Sequence, residues 1–593
     1  MLKLEPMPQP AYASTNPVAD WVRALSAMKD VEGERDVTLL SDLRGRTAKQ
    51  LDRMALIGEN QRLSYRELFS RCEAYAHWAV REGLAPAATV CLLMQNCPEY
   101  AAIWLGLTQA GCVVALLNVN LTGEALAHCI RTAASSHVIV SAALAPALLE
   151  IRNLFPESLS IYVQDGERMA GCNALVLYGE FDASPETGMA IRDTALLIYT
   201  SGTTGLPKAC KISHGRMRRW CAWFAGMMGA CPEDRLYNCL PMYHSVGGVV
   251  AIGAMLMAGG TTVLREKFSA RAFWDDIVNE ECTIFQYIGE LCHYLTSQPK
   301  HPRERQHRLR LCCGNGLRGD VWETFKDRFA VPRILEFYAA TEGNISLYNC
   351  EGRPGAIGRV PPFLAHRFPI AIIRYDVETG EPKRGDEGLC VACDVDEAGE
   401  TIGKIFGSGS QQFEGYTDAR ASSGKLLHNV FEPGDTWFRT GDAMRKDAGG
   451  YYYFVDRLGD TFRWKGENVS TTEVAAVVSK VPGVRDAVVF GVNVAGHAGR
   501  AGMAAVTVNE AFSLGGLIQH LTKNLPDYAR PRFLRVCATL DTTGTFKFNK
   551  QKLQSEGYSA SSEPVWFPDY KNGAFMRWNG EVEEAVKSGE FRI

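Results

Sequence analysis

The segment Ile198-Tyr-Thr-Ser-Gly-Thr-Thr-Gly-Leu-Pro-Lys208 combines glycines Gly202 and Gly205 with the hydroxyl residues Thr200, Ser201, Thr203 and Thr204, and ends on Lys208. Glycines leave backbone N–H groups open, hydroxyls add O–H donors and the lysine adds charge, so the loop suits a polyphosphate. It is not a Walker loop, because Ala209 follows Lys208 where that loop requires Ser or Thr. A second glycine pattern, Gly314-Asn315-Gly316-Leu-Arg-Gly319, sits between a strand-like run at 309–313 and a helix-like run at 320–329. Taken alone, it fits a dinucleotide-binding turn as well as any other phosphate or base contact. The acidic partner such a turn needs would be Glu336, which falls inside the strand-like run 334–338 and not at its end. Glu342 follows that run beside Gly343, and a strand-end carboxylate facing a phosphate loop is a reasonable Mg²⁺ ligand. His244 is one of 12 histidines and lies beside an apolar stretch, where a structural role is the ordinary reading. Asp442, Arg457 and Lys547 read by default as solvated charges. The chain has no G-x-S-x-G nucleophile elbow.

These residues need a large frame. At 593 residues, with about 150 per domain, the chain predicts roughly four units. A hydrophobic fraction of 46% against 22% charged residues excludes a disordered or fibrous chain. The net charge of −4 leaves no broad basic surface for nucleic acid, so a phosphate ligand must be held locally. Eighteen cysteines without paired spacing predict reduced structural thiols. That reading includes the single C-x-x-C, Cys390 to Cys393. With a Pro-rich, polar start (residues 1–20), the thiols point to a cytoplasmic protein. Residues 100–123 and 245–264 are uncharged, yet Gln109, Asn118, Asn120 and several glycines interrupt them. They are expected to be buried helix and strand and not a membrane span. Peripheral membrane contact and a homodimer stay open.

Apolar runs at 90–94, 112–117 and 138–140 alternate with helical stretches at 65–81, 99–110 and 124–134, the rhythm of a mostly parallel sheet covered by helices. It returns at 261–264, 283–286, 309–313 and 334–338. Residues 371–453 read as a small β-rich unit, and a last α+β unit follows Arg457.

In sum, the sequence resembles the adenylate-forming superfamily of acyl-CoA synthetases, adenylation domains and luciferases. The phosphate loop is followed in order by Pro241-Met-Tyr-His-Ser245, Tyr338-Ala-Ala-Thr-Glu-Gly343, Trp437-Phe-Arg-Thr-Gly-Asp442, Asp456-Arg-Leu-Gly-Asp460 with Lys465-Gly-Glu467, and Thr543-Gly-Thr-Phe-Lys547. Residues 466–474 and 543–547 are especially similar to the fatty acid transport protein, or very-long-chain acyl-CoA synthetase, branch. The resemblance runs from about Leu63 to Leu553. It implies an α/β fold: an N-terminal body, 1–456, of two doubly wound α/β subdomains and a small β-rich subdomain, then a small mobile α+β C-terminal lid, 457–593.

The resemblance also implies an ATP-dependent fatty acid–CoA ligase. Thr200, Ser201, Gly202, Thr203, Thr204, Gly205 and Lys208 are then expected at the phosphates. Gly314, Asn315, Gly316, Tyr338, Ala339 and Thr341 are expected around adenine, and Asp442 with Arg457 at the ribose. Glu342 with Thr200 is expected to hold Mg²⁺, His244 to lie near the acyl carboxylate, and Lys547 to reach the carboxylate and α-phosphate. Gly459 is expected as the hinge, with Lys465, Gly466 and Glu467 serving the CoA step. Phe546 stands where many relatives carry glycine. ATP, CoA and a fatty acid are the implied partners. Ligation of a bile, steroid or aromatic acid, and fatty-acid uptake or binding without catalysis, are the alternatives. Acyl length is not readable from the sequence: the Gly247-Gly248 pair has room to spare in side-chain volume, but the walls of an acyl tunnel come from distant segments.

Overall fold

The computed structural model describes residues 16–32, 37–84, 86–164, 169–177, 179, 185, 188–200, 206–406, 413–465, 467–494, 499–542, 548–558, 561 and 563–587. It divides into two compact units, Met1–Val360 with Ile405–Leu426, and Pro361–Lys404 with Leu427–Ile593.

Two α/β sheets fill the first unit. One runs Asn173–Ala174, Ser160–Val163, His137–Val140, Thr89–Leu93, Val113–Leu116, Thr194–Thr200 and Lys208–Ser213 in spatial order. Its strands are parallel except for the last pair, a hairpin. Parallel strands lie under helices on both faces, which is why they read as unbroken apolar runs. Helix Tyr65–Arg81 starts at a reciprocal capping box between Ser64 and Glu67. Residues 100–123 form the wholly buried helix Pro98–Gln109 and strand Val113–Leu116, as their composition predicted. Among the described residues no helix is long and apolar enough to cross a membrane.

The other sheet runs Ser346–Asn349, Ile334–Ala339, Leu311–Asn315, Ile284–Ile288, Arg235–Asn238, Thr261–Leu264, Met54–Ile57 and Arg62–Ser64. Its inner pairs are parallel and its two outermost pairs antiparallel. The earliest strands therefore complete the later sheet, with Leu56 opposite Thr262. Side chains alternate across the pleat, so Tyr287, Gly314 and Glu336 share one face while Asn238, Gln286 and Cys313 share the other. Helix His214–Met228 covers the second face, where Phe224 meets Phe337 edge-on at 4.8 Å.

In the second unit an antiparallel sheet forms around the long strand Thr436–Lys446, flanked by Gly399–Lys404 and Tyr452–Arg457. A hairpin, Phe462–Trp464 with Glu467–Val469, leads into helix Thr471–Val478 and a mixed five-stranded sheet. Strand Tyr452–Arg457 pairs back onto Thr436–Lys446, and its buried Asp456 accepts the Thr471 N–H at 2.6 Å and hydroxyl at 2.8 Å, capping the following helix. Strands Val565–Asp569 and Ala574–Arg577 extend the mixed sheet past the point where the sequence resemblance ends.

All eighteen cysteines are unpaired thiols; fourteen are buried and none is exposed. Burial alone pushes the Cys112 and Cys129 thiols up to about 12.

Candidate functional site

The phosphate-loop segment joins strand Thr194–Thr200 to strand Lys208–Ser213, and the hairpin pairs Thr200 directly with Lys208. Ser201, Gly202, Thr203, Thr204 and Gly205 lie outside the described residues. The loop's flanks are fixed: the Tyr199 hydroxyl donates to the Cys129 carbonyl at 2.6 Å, and a His128 ring nitrogen pairs with the Pro207 carbonyl at 3.1 Å.

Segment 413–417 lies along the outer edge of the hairpin, where the Lys211 N–H donates to the Gly415 carbonyl and the Thr417 N–H to the Ala209 carbonyl. This places Tyr416 over the strand ends. Its hydroxyl donates to Glu342 Oε1 at 2.9 Å, and the Thr200 hydroxyl bonds the same phenol. Burial first, and the Glu342 charge second, push the Tyr416 phenol well above its ordinary value. Lys425 Nζ stands 3.8 Å from Glu342 Oε1. The two residues expected to hold Mg²⁺ thus converge on one phenol, although 142 positions separate them in the chain (342 − 200). A carboxylate and a hydroxyl, both hard oxygen donors, fit that ion.

Buried Arg216 fixes the turn that carries Glu342. Its guanidinium donates to the Thr341 carbonyl at 3.3 Å and the Gly343 carbonyl at 3.2 Å, and it faces Glu414 at 3.6 Å. Glu414 in turn accepts the Ser213 N–H and hydroxyl, both at 2.7 Å. The motif carrying His244 joins the same turn, because Ser245 Oγ and Thr341 Oγ1 are 3.0 Å apart. The His244 ring lies against Tyr243, 4.6 Å between centroids.

The Gly247-Gly248 pair lies where two stretches of backbone meet. Residues Ser245–Val250 form a π-helical turn that folds back on the preceding motif. A Cβ on Gly248 would drive into the Met242 carbonyl oxygen, and one on Gly247 would lie 2.6 Å from the Pro241 carbonyl. The glycines admit close backbone packing, with the Cβ directions filled by the Pro241–Met242 backbone.

The Gly314–Gly319 motif is also clarified. Glu336 is buried beneath the turn, accepting the Leu317 N–H at 3.0 Å and the Gly316 N–H as well. The turn spends these donors on a core carboxyl, which argues against a pyrophosphate cradle and against Glu336 as a ribose ligand. Tyr338 and Ala339 end the neighbouring strand, Tyr338 half-buried and Ala339 exposed beside it.

In the second unit Asp442 and Arg457 are a cross-strand pair, Arg457 Nε lying 3.6 Å from Asp442 Oδ1. Asp442 is buried and Arg457 exposed. Gly459 occupies the exposed turn after Arg457, and Lys550 Nζ donates to Asp460 Oδ2 and Thr471 Oγ1, each at 2.8 Å. Lys465 tops the hairpin with φ +52°, 3.5 Å from Asp527, and Glu467 is exposed on its returning strand. Gly466 and Lys547 lie outside the described residues.

Sequence reading missed Tyr416, Arg216 and Lys425. Tyr416 sits in a turn-rich stretch far from either partner, and Arg216 reads as one of several arginines on a helix. No local pattern marks them.

Residues 43–417 match the family model described as AMP-binding enzyme, and residues 473–547 match the AMP-binding enzyme C-terminal domain. The chain is 40% identical over 559 residues to long-chain fatty acid transport protein 1 of Mus musculus, covering 92% of this chain and 86% of the relative. It is 42% identical over 532 residues to long-chain fatty acid transport protein 3 of Homo sapiens, covering 86% and 76%. Among solved structures, the anthranilate CoA ligase AuaEII in complex with anthranoyl-AMP superposes with a TM-score of 0.74 at 20% identity, covering 88% of this chain and 97% of that one. ATP-bound MatB from Rhodopseudomonas palustris gives 0.72 at 21% identity, covering 87% and 98%.

Proposed function

Because the chain belongs to the AMP-binding enzyme family, we propose that it is an ATP-dependent ligase joining a long- or very-long-chain fatty acid to CoA. The observation that carries this reading is the convergence of Thr200 and Glu342 on Tyr416 beside the phosphate-loop hairpin. The acyl class is taken from the names of relatives about 40% identical, such as long-chain fatty acid transport protein 1 of Mus musculus.

In the first half-reaction the substrate carboxylate attacks the α-phosphorus of ATP, forming acyl-AMP as pyrophosphate leaves. No protein nucleophile is needed; the chain positions groups and neutralises developing negative charge. Lys208 and the hydroxyls of the loop serve the phosphates. Thr200 and Glu342 would hold Mg²⁺, which when bound neutralises phosphate charge. Gly314–Gly316 and Tyr338 flank adenine, Asp442 accepts from the ribose hydroxyls, and Arg457 donates to them. His244 borders the carboxylate, and Lys547 supplies a cation to the carboxylate and α-phosphate oxygens. In the second half-reaction CoA thiolate attacks the acyl carbonyl and AMP leaves. Residues from 457 onward act as a lid hinged at Gly459, exchanging Lys547 for the Lys465-Gly466-Glu467 loop. Glycine absorbs the backbone change at little steric cost.

A thioester assay dependent on both ATP and CoA, run over carboxylic acids from short to very long with pyrophosphate release followed in parallel, tests the proposal. Thioester formation strongest with long chains is expected. Preference for an aromatic or bile acid would correct the substrate class. Fatty-acid binding with no pyrophosphate release would favour the other reading, an uptake protein without catalysis, which the relatives' names suggest.

A further inference from the structure

Glu336 lies within strand Ile334–Ala339 and is only 1% exposed. One carboxyl oxygen accepts the Leu317 N–H at 3.0 Å, the carboxyl also takes the Gly316 N–H, and the Tyr287 hydroxyl bonds the other oxygen. The Gly316 carbonyl rests so near Gly289 that a Cβ there would collide with it. Gly316 itself has φ +79°, a conformation that favours glycine. The turn is therefore held at both kinds of backbone group, its N–H groups by a buried acid and its carbonyl against a bare Cα. An apolar residue of similar volume at 336 would take the acceptor from both N–H groups, of which that of Leu317 belongs to a buried residue.

We propose that Glu336, oriented by Tyr287, is a positioning residue of the nucleotide site, fixing the conformation of residues 314–317 against which adenine lies. This rests on the reading of that turn as the adenine loop. Glu336 touches no substrate and acts only through the backbone it holds. Burial pushes its carboxyl up to about 8, so near neutral pH it mostly keeps its proton. Glutamine reproduces that form: its amide oxygen can accept the loop N–H groups, and its NH₂ can donate to the Tyr287 oxygen. Leucine keeps the volume but offers no acceptor.

The test measures AMP affinity by calorimetry at pH 7, together with the KM for a long-chain fatty acid, in the full-length protein. Glu336→Leu is expected to weaken AMP roughly tenfold, and Glu336→Gln to restore affinity to within about threefold of the parent. The fatty-acid KM should stay within about twofold in both variants, since only the nucleotide loop is released. AMP binding by Glu336→Leu equal to the parent's overturns the proposal. So does parallel loss of AMP and fatty-acid affinity, the mark of a general core defect. If the leucine variant does not fold, Tyr287→Phe decides: it removes only the orienting hydroxyl and is expected to weaken AMP roughly threefold. Unchanged AMP binding in that variant overturns the proposal. A parent protein that binds no AMP at all removes the proposed ligase activity along with it, whereas normal parent binding with an unaffected leucine variant removes this inference alone.

Discussion

Tyr416→Phe isolates one hydroxyl at the centre of the site. The ring is 5% exposed and its replacement keeps the same packing, so the change removes the 2.9 Å bond to Glu342 and the bond shared with Thr200 and little else. A hydrogen bond to a charged group contributes about 1.5–3 kcal/mol. Lys425, 3.8 Å from the same oxygen, remains to orient the carboxylate, so the lower part of that range applies. At about 1.4 kcal/mol per factor of ten, the loss is roughly 10–30-fold in kcat/KM for ATP. Pyrophosphate release measures adenylation, and thioester formation from supplied acyl-AMP measures the second step, which should change by no more than about twofold. Combining Tyr416→Phe with Thr200→Val should cost less than the sum of the single changes, because both break one network. Adenylation within about twofold of the parent, or equal losses in the two half-reactions, would refute the reasoning.

Gly248→Ala should destabilise the protein by about 1–3 kcal/mol, read as a lower urea midpoint, because its methyl group meets the Met242 carbonyl; an unchanged midpoint counts against that packing. His214 is buried with both ring nitrogens unpartnered, and desolvation, aided by Arg218 and opposed by Asp193, lowers its pKa to about 4. Its folded form therefore refuses a proton that the unfolded chain takes up near the ordinary value of 6.5, so stability present above 6.5 is lost as pH falls towards 4. The expected slope is about 1.4 kcal/mol per pH unit, and denaturant titrations of His214→Leu should lack that component; an identical slope in parent and variant would exclude it. Lys547→Ala should abolish adenylation yet still convert supplied acyl-AMP to thioester, while Gly459→Pro should do the reverse. Equal loss of both steps in either variant would remove the assigned division of labour.

Most of the α/β framework was legible because parallel strands buried on both faces must be apolar throughout, and helices between them show a periodic stripe. Helix Pro98–Gln109 followed by Val113–Leu116 came directly from an uncharged run broken at Gly111. Pairing across long separations was not legible: nothing local tells Leu56 that its partner is Thr262. The site divides in the same way. Thr200, Glu342 and the Asp442–Arg457 pair stand in contiguous motifs, whereas Tyr416 and Arg216 act through contacts made only by folding. The close approach of Gly247 and Gly248 to the Leu240–Met242 backbone was equally illegible, because a glycine pair looks alike in sequence whether it opens space or lets two backbones meet.

The thiol inventory has a consequence for chemical compatibility. In the proposed reaction the protein holds a mixed anhydride, acyl-AMP, until a thiol arrives. An exposed thiolate of its own would compete with CoA and end as an acylated protein. No cysteine is exposed, and burial raises thiols such as Cys112 and Cys129 to about 12, so at neutral pH they stay protonated and poorly nucleophilic. Fourteen of the eighteen cysteines thus coexist with an acylating intermediate by being buried, and the other four are only partly exposed, which favours the bound coenzyme as the sulfur nucleophile.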